Sequence, residues 1–275
     1  MLGTVSDPTT GSRRDVVRAG IHVVVDGPPD APPLLLVHGS GATAASWSPV
    51  LPALAASHRV LAIDLPGCGR SAPAPPYDVP AQADRVAALL DGLGAAAATV
   101  VGHSSGGYVA TALAGRRPDL VGALVLLSTG PAPDAMLPEA GVVRVLMGRP
   151  FGPLLWPLRT AGMLRRGIRS VTARPVVVPD GFLADVRRTR YRDFRQIMDG
   201  YAAYLAERPL PDRLAAAGTA PLVIFGDADP RWDPASARRY EAVPGARVEY
   251  LANVGHVAML EDPGGVSRLI LDGAT

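Results

Sequence analysis

The chain has 275 residues, 48% of them hydrophobic and 19% charged, which suits one large domain or a core carrying an insertion and excludes a disordered chain. All 27 basic residues are arginine, and against 25 acids they leave a net charge of +2, too little to indicate a nucleic-acid partner. The single cysteine, Cys68, excludes an internal disulfide and argues against a zinc site.

Residues 1–12 read as a polar tail, without the basic segment and apolar core of a secretory signal. No stretch approaches ~18 uninterrupted apolar residues, so no membrane span is expected and the expected location is cytoplasmic. "DVVRAGIHVVVDG" alternates around valines and predicts a strand pair. "PPLLLVHG" at 32–39 is a short apolar run of the kind buried on both faces of a parallel sheet. A helix is expected over 46–57, then a buried strand in "HRVLAIDLPG", a helix over 79–93, a strand over 99–103, a helix over 105–116 and a strand over 121–128. This alternation predicts an α/β fold, a mostly parallel central sheet with helices on both faces.

The rhythm stops at about residue 131. Up to 213 the only apolar run of strand character is "PVVV" at 175–178, itself flanked by prolines. Strand character returns in "APLVIFGDAD", followed by a helix near 234–243, a last strand in "ARVEYLANVGH" and a closing helix over 263–272. The division expected is a core of 1–130 and 214–275, with 131–213 inserted between core strands.

One stretch carries chemistry. "GHSSG" at 102–106 fits G-x-S-x-G between a strand and a helix, where a serine at a strained corner needs neighbours without bulk so that the two backbones can approach. Ser104 is the candidate nucleophile, and the helix behind it offers N–H groups to a developing anion. Ser105 would contribute its backbone N–H. Of the five histidines, His22 and His58 read as structural or surface residues, His103 should point away from its neighbour Ser104, and His38 should hydrogen-bond beneath the "HGSG" loop. His256, in the loop after the last strand, faces the same sheet edge as Ser104 and suits a general base. The base needs an orienting carboxylate. "FGDADPRWDP" offers Asp227, Asp229 and Asp233. Asp229 lies far enough past the strand to turn toward His256, Asp227 is the alternative, and Asp233, before Pro234, suits an N-cap. The glycines of "HGSG" let the Ser40 N–H face that of Ser105, completing an oxyanion site.

"LLLVHGSG…SW", "VLAIDLPGCGRS", "VVGHSSGGYVA", "VIFGDAD" and "VGHVAMLEDP", in that order, resemble the α/β-hydrolase fold superfamily over nearly the whole chain outside the insertion. The resemblance implies a serine hydrolase with Ser104, Asp229 and His256 as its triad, an insertion forming a helical cap, and no cofactor or metal. Relatives commonly carry His where Cys68 stands and Met or Gln where Ser105 stands. A serine at the elbow argues against the carboxylate nucleophile of haloalkane dehalogenases and epoxide hydrolases. "GHS", with "HGSGAT" in the loop, departs from the pattern of carbon–carbon bond hydrolases.

The insertion holds Phe151, Trp156, Phe182, Tyr191, Phe194, Tyr201 and Tyr204, half of the chain's aromatic residues, with Met136, Met147, Met163 and Met198. They would line an adaptable apolar pocket or form the cap's own core. Its arginines read as solvated helix faces, one or two of which could hold a substrate carboxylate. The expectation is a monomer or homodimer cleaving an ester, thioester or lactone of a mainly apolar small molecule. The alternatives are a carbon–carbon bond hydrolase, a cofactor-free cyclase or perhydrolase, and a non-catalytic ligand-binding protein on the same fold.

Overall fold

The structure, a computed structural model, describes residues 13–138, 148 and 150–274. The predicted tail at 1–12 and Met147 lie outside the described residues. Among the described residues eight strands form one sheet: β1 (Arg14–Arg18), β2 (Ile21–Asp26), β3 (Pro33–Val37), β4 (Arg59–Ile63), β5 (Ala98–His103), β6 (Val121–Leu127), β7 (Pro221–Gly226) and β8 (Arg247–Leu251). The spatial order is β1-β2-β4-β3-β5-β6-β7-β8. β1 pairs antiparallel with β2 and β2 with β4, and every later pairing is parallel.

Strand alternation separates the core into two layers. Leu35, Leu61, Val100, Leu126 and Val223 enter one apolar cluster, while Leu34, Leu36, Val60, Val101, Val125 and Ile224 enter the other. Both sets are fully buried, which is why these strands read as continuous apolar runs. After the short helix α1 (Leu51–Ala55), helices α2 (Val79–Leu93) and α3 (Gly106–Arg116) supply side chains to the first layer, and the closing helix, Pro263–Gly273, to the second. The helix expected over 46–57 is instead a 3₁₀ turn (Ala44–Trp47) and one short helix (Leu51–Ala55). Pro49 and Pro52 each remove an amide donor, so a continuous helix could not form.

Between β6 and β7 the described chain is helical: Phe151–Leu155, Ala161–Arg169, Asp180–Arg188, Tyr191–Glu207 and Leu210–Ala217. The sequence division at 213/214 falls inside the last of these, which packs on α3. "PVVV" joins no strand. Val177 is exposed while Val176 and Val178 pack with Phe182, Leu183 and Val186 in a small cluster of their own. Tyr201 and Tyr204 instead join the main core beside Tyr108 of α3. Phe151, Met136 and Met163 are exposed, so the insertion's apolar side chains do not share one lining. Among the described residues no helix is long and apolar enough to cross a membrane.

Candidate active site

Four loops leave the carboxyl ends of parallel strands on one edge of the sheet. They follow β3, β5, β7 and β8 and bring Ser40, Ser104, Asp229 and His256 to that edge, where ligands of open α/β sheets bind.

Ser104 stands at the turn between β5 and α3 with φ of +52°, a left-handed conformation that costs a non-glycine residue about 1–3 kcal/mol. The surroundings hold it there. The Ser104 N–H donates to Leu127 O (2.8 Å), and its carbonyl accepts from Gly107 N–H (2.9 Å) and Thr129 Oγ1 (3.1 Å). A Cβ on Gly102 would sit 2.5 Å from Gly107 Cα, and one on Gly106 would sit 2.5 Å from the carbonyl oxygens of Val37 and His38. The two glycines flanking the serine therefore allow strand, turn and helix to close on one another.

Ser104 Oγ lies 3.0 Å from His256 Nε2, and His256 Nδ1 lies 2.8 Å from Asp229 Oδ2. All three residues are buried. With Nδ1–H donated to the carboxylate, Nε2 presents its lone pair to the serine hydroxyl. Asp229 Oδ1 is fixed separately by the N–H groups of Arg231 (2.8 Å) and Trp232 (3.2 Å), so the carboxylate reaches His256 with one oxygen while a tight turn grips the other. Asp227, the alternative carboxylate, instead accepts from Asn253 N–H at 2.7 Å, and Asp233 caps the 3₁₀ segment Pro234–Ala242 through Ala235 N–H.

The other histidines sort by their partners. His38 Nε2 accepts from Leu65 N–H (3.0 Å), so its Nδ1–H donates to Gly39 O (2.8 Å) and braces the loop from below. Burial holds its pKa below the ordinary value. His103 donates Nε2–H to His256 O at 2.9 Å, and burial followed by the neighbouring His256 pushes its pKa down to about 3. It is a neutral prop under the His256 backbone. His22 is buried and bonded to Asp64 (3.0 Å) and Asp15 (2.9 Å), and His58 pairs with Ser57 at the surface. Cys68 is buried in the core, which pushes its thiol up to about 12.

Two contacts escaped the sequence. Glu261, almost fully buried, accepts four backbone N–H groups: Ala173 (2.7 Å), Arg174 (3.0 Å), Gly255 (2.9 Å) and Val257 (3.2 Å). It thus clasps the residues on both sides of His256 to the inserted region, and the His256 N–H adds a bond to Val171 O (2.8 Å). The second is that Ser40 N–H donates to the Ser105 hydroxyl oxygen at 2.8 Å.

The profile of the Alpha/beta hydrolase family matches residues 34–269. The chain is 30% identical over 242 residues to the pimeloyl-[acyl-carrier protein] methyl ester esterase of Aeromonas hydrophila, covering 84% of this chain and 91% of that protein. It is 31% identical over 244 residues to the dihydrolipoyllysine-residue acetyltransferase component of the acetoin cleaving system of Pseudomonas putida, where the match takes in 87% of this chain but only 62% of the relative. A crystal structure of a membrane phospholipase A superposes with a TM-score of 0.77 at 25% identity, covering 97% of this chain and 87% of that one. Sheet order, the elbow after β5 and these matches lead to one assignment: the chain belongs to the alpha/beta hydrolase family.

Proposed function

We propose that the protein is a serine hydrolase that cleaves an ester, thioester or lactone of a mainly apolar small molecule through an acyl-enzyme. The observation that carries this reading is the unbroken line Ser104 Oγ–His256 Nε2 (3.0 Å) and His256 Nδ1–Asp229 Oδ2 (2.8 Å), assembled from three separate loops. His256 takes the hydroxyl proton as Ser104 Oγ attacks the carbonyl carbon, and Asp229 orients the ring and stabilises the imidazolium. The tetrahedral oxyanion is met by the N–H groups of Ser105, at the start of α3, and of Ser40. One such donor contributes about 3 kcal/mol to the transition state. His256 then gives its proton to the leaving oxygen or sulfur. Water attacks the acyl carbon with His256 again as base, and the acid leaves as Ser104 regains its proton.

An ester as substrate is supported by the Aeromonas relative, whose name is that of an ester hydrolase. In this reading 131–213 is a cap over the core, tied to the His256 loop at Val171, Ala173 and Arg174.

Turnover of a panel of p-nitrophenyl esters, acyl thioesters and lactones tests the proposal, with a β-diketone and a dienone beside them. The expected result is hydrolysis of at least one acyl substrate, abolished in Ser104→Ala. Cleavage of the carbon–carbon substrates alone, or full activity in that variant, would overturn it.

A further inference from the structure

The resting site already contains an oxygen on one of the two proposed oxyanion donors. Ser40 N–H is spent on Ser105 Oγ at 2.8 Å. Ser105 is also the residue whose own N–H is the second donor, so its hydroxyl is tethered beside both amides. An incoming carbonyl oxygen must take the Ser40 N–H from it.

This hydroxyl is held in place. Ser105 is buried, and Tyr201, which projects from the inserted helix Tyr191–Glu207, is itself buried nearby. Tyr201 Oη is directed at Gln82 Oε1 at 3.5 Å, and Gln82 Nε2 donates to Tyr77 O at 2.8 Å. The Ser105 side chain makes no capping bond to helix α3, so the helix does not account for its orientation.

We infer that the Ser105 side chain is a positioning residue that competes with substrate: it occupies the Ser40 amide in the resting enzyme and yields it only to the acyl oxygen. The inference rests on the serine-hydrolase reading above and deepens it. A neutral hydrogen bond is a weaker rival than a bond to a full oxyanion. Displacement is therefore easy at the transition state and costs most in the initial complex.

The test is Ser105→Ala, which removes the rival oxygen while keeping the backbone N–H. Losing one competing hydrogen bond should raise kcat/KM for a p-nitrophenyl ester by roughly three- to tenfold. A trifluoromethyl ketone that adds to Ser104 should bind tighter by the same factor, with the melting temperature held near wild type. A variant that folds normally but hydrolyses the ester at the wild-type rate or more slowly overturns the inference alone, since wild-type turnover would still stand. A wild-type protein that neither hydrolyses esters nor binds the ketone would overturn the functional reading, and this inference with it.

Discussion

Glu261 gives the sharpest mutational forecast, because its carboxylate does one countable thing. It accepts four backbone N–H groups, two of them flanking His256 at Gly255 and Val257 and two in the inserted segment at Ala173 and Arg174. In Glu261→Ala the amides of Ala173 and Arg174 are partly exposed and water replaces the carboxylate at little cost. The amides of Gly255 and Val257 are buried, and each left without an acceptor costs about 1–3 kcal/mol. The expected loss is therefore about 2–6 kcal/mol, or roughly 4–24 °C in melting temperature for a chain of this size. The same change releases the loop that carries His256, and a displacement of about 1 Å in a catalytic group lowers turnover roughly a hundredfold. Glu261→Gln keeps one carbonyl oxygen but turns an NH₂ toward one set of amides, so about half of the stability loss is expected. Scanning calorimetry beside ester kinetics reads both effects. A Glu261→Ala protein with wild-type melting temperature and kcat would refute the clasp.

Three further outcomes follow from the geometry. Asp229→Asn leaves the shape but removes the acceptor that fixes the His256 tautomer, so kcat should fall by roughly 10³–10⁴-fold in steady-state assays with the fold unchanged by circular dichroism; a loss below tenfold would contradict the assigned role. Gly102→Ala places a methyl group 2.5 Å from Gly107 Cα and should cost about 1–3 kcal/mol in urea unfolding, with activity lost in the folded fraction; wild-type stability would show that the elbow is looser than described. The hydrogen bond to Asp64 raises the pKa of His22 above 6.5, so the native state holds that proton more tightly than the unfolded chain. Its stabilisation is complete below pH 6.5 and fades as pH rises through the raised native value. His22→Gln should therefore flatten the stability profile above pH 6.5, and identical slopes for variant and wild type would exclude the linkage.

The sheet was legible because its parallel strands are buried on both faces. Leu34, Leu35 and Leu36 are all fully buried, and no polar residue interrupts the run. The candidate site residues were legible for a related reason: each lies within a few residues of a strand end, and the glycines beside Ser104 have a steric purpose that leaves a mark in the sequence. Asp229 could be preferred to Asp227 only by reach, and the structure adds the turn that separates them, Arg231 and Trp232 closing on one and Asn253 on the other. What stayed hidden depends on contacts between distant segments. Glu261 sits in "MLEDP" like any acidic residue opening a helix, and its four partners lie on two loops that no local pattern connects. The Ser105 hydroxyl reads as a motif variant until Ser40, 65 residues away in sequence, is placed beside it. The helix expected over 46–57 failed against Pro49 and Pro52, and that signal was present in the sequence. "PVVV" has strand composition but joins no strand and packs instead with Phe182, Leu183 and Val186, which composition alone does not reveal.

In the proposed mechanism the Ser104 hydroxyl is made nucleophilic by His256. Intact-protein and peptide mass spectrometry after exposure to a fluorophosphonate probe tests it directly. A single phosphonyl adduct is expected on Ser104 in the wild type, formed far more slowly in His256→Ala. An unmodified Ser104, or labelling whose rate is indifferent to His256, would contradict it.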